Sequence, residues 1–300
     1  MKVGTHAFLV KTALVVDYDP KIESLLYRAL DPCSWAIQHV ADNATALMLA
    51  QKKSFDLILT SQTTSGQEDI ELLRRIRRAQ PHTRLIILAD ERTPADVIES
   101  MRERAFSYFS KPFSLDTLAA IIGRAVDGPC WDDGIEIISA TPEWIRLLVR
   151  CDLGSADRVL QFLDEFAGLP DPEKHDVGVA SREMLLNAIE HGGNLDPNQR
   201  VEIGYVRAHH MVTCRITDPG PGFTLDKIPH AAVANPPDDP FRHLTYREVQ
   251  GMRPGGLGVL VTQNLVDQLI YGQNGNDVIL IKYLGGDVLS APERSSTASE

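Results

Sequence analysis

Between Ala13 and Val126 five short apolar runs alternate with helical patterns, and that alternation restricts the fold more than any other feature of the chain. The runs are Ala13-Leu-Val-Val-Asp17, Trp35-Ala-Ile-Gln-His-Val40, Phe55-Asp-Leu-Ile-Leu-Thr60, Arg84-Leu-Ile-Ile-Leu-Ala89 and Phe106-Ser-Tyr-Phe109. After the first, Pro20 opens a helix in which Ile22, Leu25, Leu26, Ala29 and Leu30 recur at the spacing of one helix face. Five such βα units predict a doubly wound, five-stranded parallel sheet of the α/β class. The chain has 300 residues, a length near which a single core stops growing, so a second domain is expected after the fifth unit.

The periodicity stops at Asp127-Gly-Pro-Cys-Trp-Asp-Asp-Gly134, which places a linker at 127–137 between a first domain at 11–126 and a second at 138–288, with a Ser/Thr/Glu-rich tail at 289–300. In the second domain a strand is expected near Ile145 to Cys151, a helix capped by Ser155 that runs to Phe166, and a loop through Pro170 and Pro172. A long helix from about Val177 to His191 follows, then strands near Val201 to Arg207 and Val212 to Thr217. Phe223 to Pro254, punctuated by Pro229, Pro236, Pro237 and Pro240, has the length of a lid rather than of a connection. A helix from Gly258 to about Gln268 and a strand from Val278 to Leu284 complete the domain.

No apolar stretch approaches the roughly 18 to 20 residues of a membrane span. The four cysteines, Cys33, Cys130, Cys151 and Cys214, lack metal-binding or disulfide spacing. A soluble cytoplasmic protein is expected. The net charge of −11 argues against direct nucleic-acid binding. The basic cluster Arg74, Arg75, Arg77 and Arg78 lies on a helix whose apolar stripe is Ile70, Leu73 and Ile76, and reads as a solvated face.

Three segments of the second domain carry chemistry. Glu183, Asn187 and His191 are spaced i, i+4, i+8 and fall on one helix face, with Met184, Leu185, Leu186, Ala188 and Ile189 beside it. Asp218-Pro-Gly-Pro-Gly222 follows a strand directly, where glycines admit a flat ligand and a carboxylate accepts from an exocyclic amine. Gly255-Gly256-Leu257-Gly258 opens a helix, whose N-terminal N–H groups attract phosphate. Singly, each is also a helix face, a turn or a glycine-rich loop; their order and spacing are far more specific.

Together they resemble the N, G1 and G2 boxes of the GHKL ATPase superfamily shared by gyrase, histidine kinases and anti-sigma-factor serine kinases, across about residues 136 to 288. The resemblance implies an α/β sandwich in which Asn187 ligates Mg²⁺, Asp218 reads adenine and Gly220 and Gly222 shape the pocket. Gly256 and Gly258 would contact phosphates, with His191, Gly255 and Leu257 in the same ATP-binding set. No dimerisation helices fit between Val126 and Glu136, and sixteen residues follow Leu284, so the compact anti-sigma serine kinase branch is the expected one. There Glu183 would be the catalytic base, and the partner a small anti-anti-sigma, STAS-like protein, or a sigma factor. A homodimer is a family expectation. The alternative is a non-catalytic switch that binds ATP to sequester a partner.

The first domain resembles two-component receivers through Asp17-Tyr18-Asp19-Pro20 and Ser110-Lys111-Pro112-Phe113. Where that family has a second acid, a phosphoaccepting aspartate and a strand-four hydroxyl, this chain has Tyr18, Ser61 and Ala89. Asp17 and Lys111 persist. The resemblance therefore implies a degenerate receiver, since a serine hydroxyl cannot form an acyl phosphate. A response regulator driven by a sensor kinase is the third reading, with Asp19 or Asp56 as substitute acceptors. Tyr108 is either a half-buried strand aromatic or part of a docking face.

Overall fold

The computed structural model describes residues 10–16, 19–60, 66–91, 93–127, 134–222, 242–249 and 256–285. In the first domain, strands β1 (Lys11–Val16), β2 (Trp35–Val40), β3 (Leu57–Leu59), β4 (Arg84–Ala89) and β5 (Ser107–Ser110) form a parallel sheet in the order β2-β1-β3-β4-β5. Helices α1 (Pro20–Ala29), α2 (Asn43–Ala50), α3 (Gly66–Ala79), α4 (Pro94–Arg102) and α5 (Leu115–Asp127) cover both faces. The central strands read as continuous apolar runs because both faces are buried; Leu57, Ile58 and Leu59 are fully inaccessible.

In the second domain β6 (Ile135–Thr141), β7 (Trp144–Arg150), β8 (Arg200–Arg207), β9 (Met211–Thr217), β10 (Gln268–Tyr271) and β11 (Asp277–Tyr283) form an antiparallel sheet ordered β10-β11-β9-β8-β7-β6. Helices α6 (Leu153–Ala167), α7 (Asp171–Asn187) and α9 (Gly258–Leu265) supply its helical layer, and α8 (Arg242–Val249) precedes α9. Val149, Val201, Ile203, Tyr205, Val212, Cys214 and Ile216 alternate inward against Phe162, Phe166, Ala180 and Leu185. Phe166 and Tyr205 meet edge to face at 6.2 Å.

Four expectations need correction. The linker is shorter than 127–137, because α5 runs to Asp127 and β6 already opens at Ile135. Ser155 is not the cap of α6: Asp152 is, its carboxylate accepting from the Ser155 N–H at 2.8 Å and the Ser155 hydroxyl at 2.8 Å. The Pro170–Pro172 segment is the beginning of α7, with a proline in the first turn where no N–H is needed. The segment from Phe223 to Pro254 is not wholly irregular, since it contains α8; of the rest, 223–241 and 250–254 lie outside the described residues, as does the tail expected at 289–300. Among the described residues no helix is long and apolar enough to cross a membrane.

The two domains touch along an edge. Strand β5 borders the first sheet, so its outer carbonyls have no strand partner. Helix α6 lies against it and supplies donors: Gln161 Nε2 donates to the Tyr108 carbonyl at 3.4 Å, and just ahead of the strand Arg158 Nε donates to the Phe106 carbonyl at 2.9 Å and Arg158 Nη2 to that of Ala105 at 3.4 Å. The Ser110 hydroxyl donates to Glu165, which also accepts from Gln161 at 3.2 Å. Arg158, Gln161 and Glu165 are all buried. Tyr108 is buried completely, its hydroxyl donating to the Glu91 carbonyl at 3.2 Å, so it forms no part of an exposed docking face.

The basic cluster on α3 is neutralised locally. Arg74 meets Glu71, Glu99 and Glu103 at 2.7, 2.7 and 2.9 Å, Arg75 meets Glu71 at 2.8 Å, and Arg77 donates to the carbonyls of Pro81, Thr83 and Arg104.

Candidate functional site

Helix α7 packs along α9 and presents Glu183 and Asn187, both half-buried, one turn apart. The Glu183 carboxylate lies against the first residue of α9: a Cβ placed on Gly258 would stand 2.5 Å from Glu183 Oε2. A carboxylate and an amide oxygen on one face, beside the N–H groups that open a helix, are the hard oxygen donors a magnesium ion takes, next to a phosphate-attracting terminus. The Asn187 amide oxygen therefore fits Mg²⁺, with the Glu183 carboxylate standing beside it. The amides after Gly256, whose φ is +92°, fit the phosphates.

After Asn187 the helix widens into a π turn, Ala188–Gly192, closed by Gly193 N–H donating to the Ala188 carbonyl at 2.8 Å. His191 lies within this turn and is exposed. The turn brings Gly192 against the end of β9, where a Cβ on it would stand 2.2 Å from Asp218 Cγ.

Asp218 follows β9 directly. Its Oδ1 accepts from the Gly220 N–H at 2.8 Å, and its backbone N–H donates to the Asn276 carbonyl at 2.9 Å. Burial pushes its carboxyl above the ordinary range, and the Gly220 N–H only partly offsets this. Gly220 would place a Cβ 2.9 Å from Gly192 Cα, and Gly222, at φ +77°, would place one 1.8 Å from the Asn274 carbonyl oxygen. Only glycine fits where these backbones cross. Leu257 precedes α9 and is exposed.

Structure thus brings Glu183 to Gly258 and Asp218 to Gly192, Gly220 and the Asn274–Asn276 turn. That turn, which also donates from Asn276 Nδ2 to the Asp218 carbonyl at 3.3 Å, has a sequence signal only as Gly272-Gln-Asn-Gly-Asn276, a connection. Gly255 lies outside the described residues.

In the first domain Ala89 ends β4 fully buried, and Lys111 Nζ pairs with Asp90 at 2.9 Å. Asp56 sits at the opposite end of the sheet, accepting from the Thr12 N–H at 2.7 Å, and Asp19 caps α1 by accepting from the Lys21 N–H at 2.8 Å. Both carboxylates thus have structural roles. Asp17, Tyr18 and Ser61 lie outside the described residues. A cleft of about 380 Å³ separates Lys111 and Glu91 from Asp171 and Lys174 in the first turn of α7.

The two sheets define a class: a receiver-type domain joined to an α/β nucleotide-binding domain. Comparison with known proteins agrees. Residues 13–123 match the response regulator receiver domain family and residues 149–282 the histidine kinase-like ATPase domain family.

The DNA-binding transcriptional regulator NtrC of Rhizobium meliloti (strain 1021) is 30% identical over 118 residues, 39% of this chain and 24% of that protein. The transcriptional regulatory protein TcrA of Mycobacterium tuberculosis is 31% identical over 107 residues, 36% of this chain and 42% of that protein. The chain thus spans less than half the length of these relatives. A response regulator of Thermotoga maritima, whose crystal structure is known, is 25% identical with a TM-score of 0.35, covering 40% of this chain and all of that one.

Proposed function

We propose that this protein is an ATP-dependent serine/threonine kinase of the anti-sigma-factor type, acting on an anti-anti-sigma, STAS-like protein, with its receiver domain as regulator. The observation that carries the reading is the Glu183 carboxylate set against the opening residue of α9, one helical turn from Asn187. A base for a hydroxyl must stand beside the phosphates without being buried among them, and a half-buried carboxylate at a helix N-terminus does so.

ATP and Mg²⁺, when bound, supply the phosphoryl group and neutralise its charge. The chain does the positioning. Asn187 and the N–H groups of α9 orient the phosphates, Asp218 holds the adenine amine, and Glu183 accepts the proton of the incoming serine or threonine hydroxyl.

The test is a labelled-phosphate assay on STAS-domain proteins with wild type and Glu183→Ala, alongside calorimetric titration of MgATP. Transfer lost and MgATP binding kept in the variant supports the kinase. Unchanged transfer removes Glu183 from that role, and a partner complex without any transfer supports an ATP-dependent switch.

A further inference from the structure

One carboxylate joins the receiver to the helix that carries Glu183. Asp157, on α6, has a side chain only 12% exposed. It meets Arg124 of α5 on one side and Arg182 of α7 on the other. Arg182 immediately precedes Glu183 in the chain. Along the same helix, Arg158, Gln161 and Glu165 fasten α6 to the edge of β5, and Arg158 lies 4.5 Å over the Phe106 ring. Gly168, at φ +56°, ends α6, and α7 starts three residues later.

We propose that Asp157 is a positioning residue through which the receiver domain sets the ATP site. Arg124 fixes Asp157 from the receiver, Asp157 fixes Arg182, and Arg182 sets the rotation of α7 and hence where Glu183 and Asn187 stand relative to α9. The Asp157 carboxylate is nearly closed off while both guanidiniums remain partly exposed, so the geometry is held by two charge-assisted contacts converging on one buried acceptor. The receiver acts within its own chain, from the α5 and β5 side. The cleft beside Lys111 opens on the same helix, at the first turn of α7.

The nucleotide arm of the test rests on the ATP-binding reading; the exchange arm does not. Full-length wild type, Arg124→Met, Asp157→Asn, Arg182→Met and the Arg124→Met/Arg182→Met double variant are compared by hydrogen exchange of the α7 amides and by MgATP titration. Arg124→Met, a change confined to the receiver, is expected to speed exchange in the last two turns of α7 and to weaken MgATP by about five- to tenfold, at the low end of the usual range of allosteric coupling. The double variant should match Asp157→Asn instead of summing the two single effects, and Arg124→Lys should recover most of the loss.

Wild-type exchange and affinity in Arg124→Met overturn the proposal, as do additive effects in the double variant. Should Arg124→Met fail to fold, Arg124→Gln provides the same receiver-confined loss, with Arg124→Lys as its conservative control. If the wild type takes up no MgATP, the ATP-binding reading falls, and the exchange of α7 still decides the coupling.

Discussion

Gly192→Ala is expected to disable nucleotide binding while leaving the fold intact. The added methyl would stand 2.2 Å from Asp218 Cγ and Oδ1 and 2.5 Å from its Cβ. Carbon atoms rest at about 3.5 Å, so the Asp218 side chain must retreat by about 1.3 Å. Its backbone is held by Asn276 and its carboxylate by the Gly220 N–H, so the strain rotates the carboxylate out of line with an adenine amine. Losing one charged hydrogen bond costs about 1.5–3 kcal/mol, or roughly 10- to 150-fold in affinity. The assay is calorimetric titration of MgATP, with thermal unfolding to show that the variant is folded. Gly178→Ala is the internal control, because a Cβ there meets nothing within 4 Å on the same helix. It should leave affinity unchanged and raise stability by about 0.5–1 kcal/mol. A folded Gly192→Ala that binds MgATP within twofold of wild type would refute the placement of Asp218 in the pocket.

Because burial raises the Asp218 carboxyl above its ordinary range, MgATP affinity should fall with acid at a higher pH than an exposed aspartate would give, and Asp218→Asn should abolish that dependence in titrations across pH. The sign for stability is opposite: with the folded pKa above the unfolded one, the nucleotide-free protein gains stability as pH drops through this range. Burial pushes the Cys151 thiol to about 11 and that of Cys214 to about 12; alkylation near pH 8 followed by peptide mapping should label exposed Cys33 and spare those two until the protein unfolds. Removing the α6 cap with Asp152→Ala should cost about 1 kcal/mol in denaturant unfolding. Its carboxyl faces a desolvation penalty that the Arg150 and Ser155 hydrogen bonds outweigh, so its pKa is lowered. Its stabilisation is therefore present at neutral pH and lost as pH falls through the folded value.

The parallel sheet was legible because strands buried on both faces spell continuous apolar runs, and α7 carried Glu183 and Asn187 on one face as their spacing requires. Strand β6 was hidden by its own bulge, which shifts register between Ile137 and Ser139 and breaks the alternation. Strand β10 has four residues, too few for a period to show. The π turn at Ala188–Gly192 was not legible, because it has no signature in residue spacing. Least legible was the domain contact. Arg158, Gln161 and Glu165 look like the polar side of an amphipathic helix, and their burial depends on a strand edge supplied by another domain. The pairing of Asp157 with Arg124 and Arg182 joins three helices, and no local pattern encodes it.

The covered edge of β5 also bears on how the chain is made. The receiver sheet is complete when α5 ends at Asp127, but the helix that shields its last strand ends only at Ala167. At roughly 5–20 residues per second of synthesis, about 40 residues take a few seconds. During that interval the β5 carbonyls are open to any other strand. A receiver cut away at the linker would remain in that state permanently, offering neighbouring molecules an unguarded pairing template in place of the helix that normally shields it.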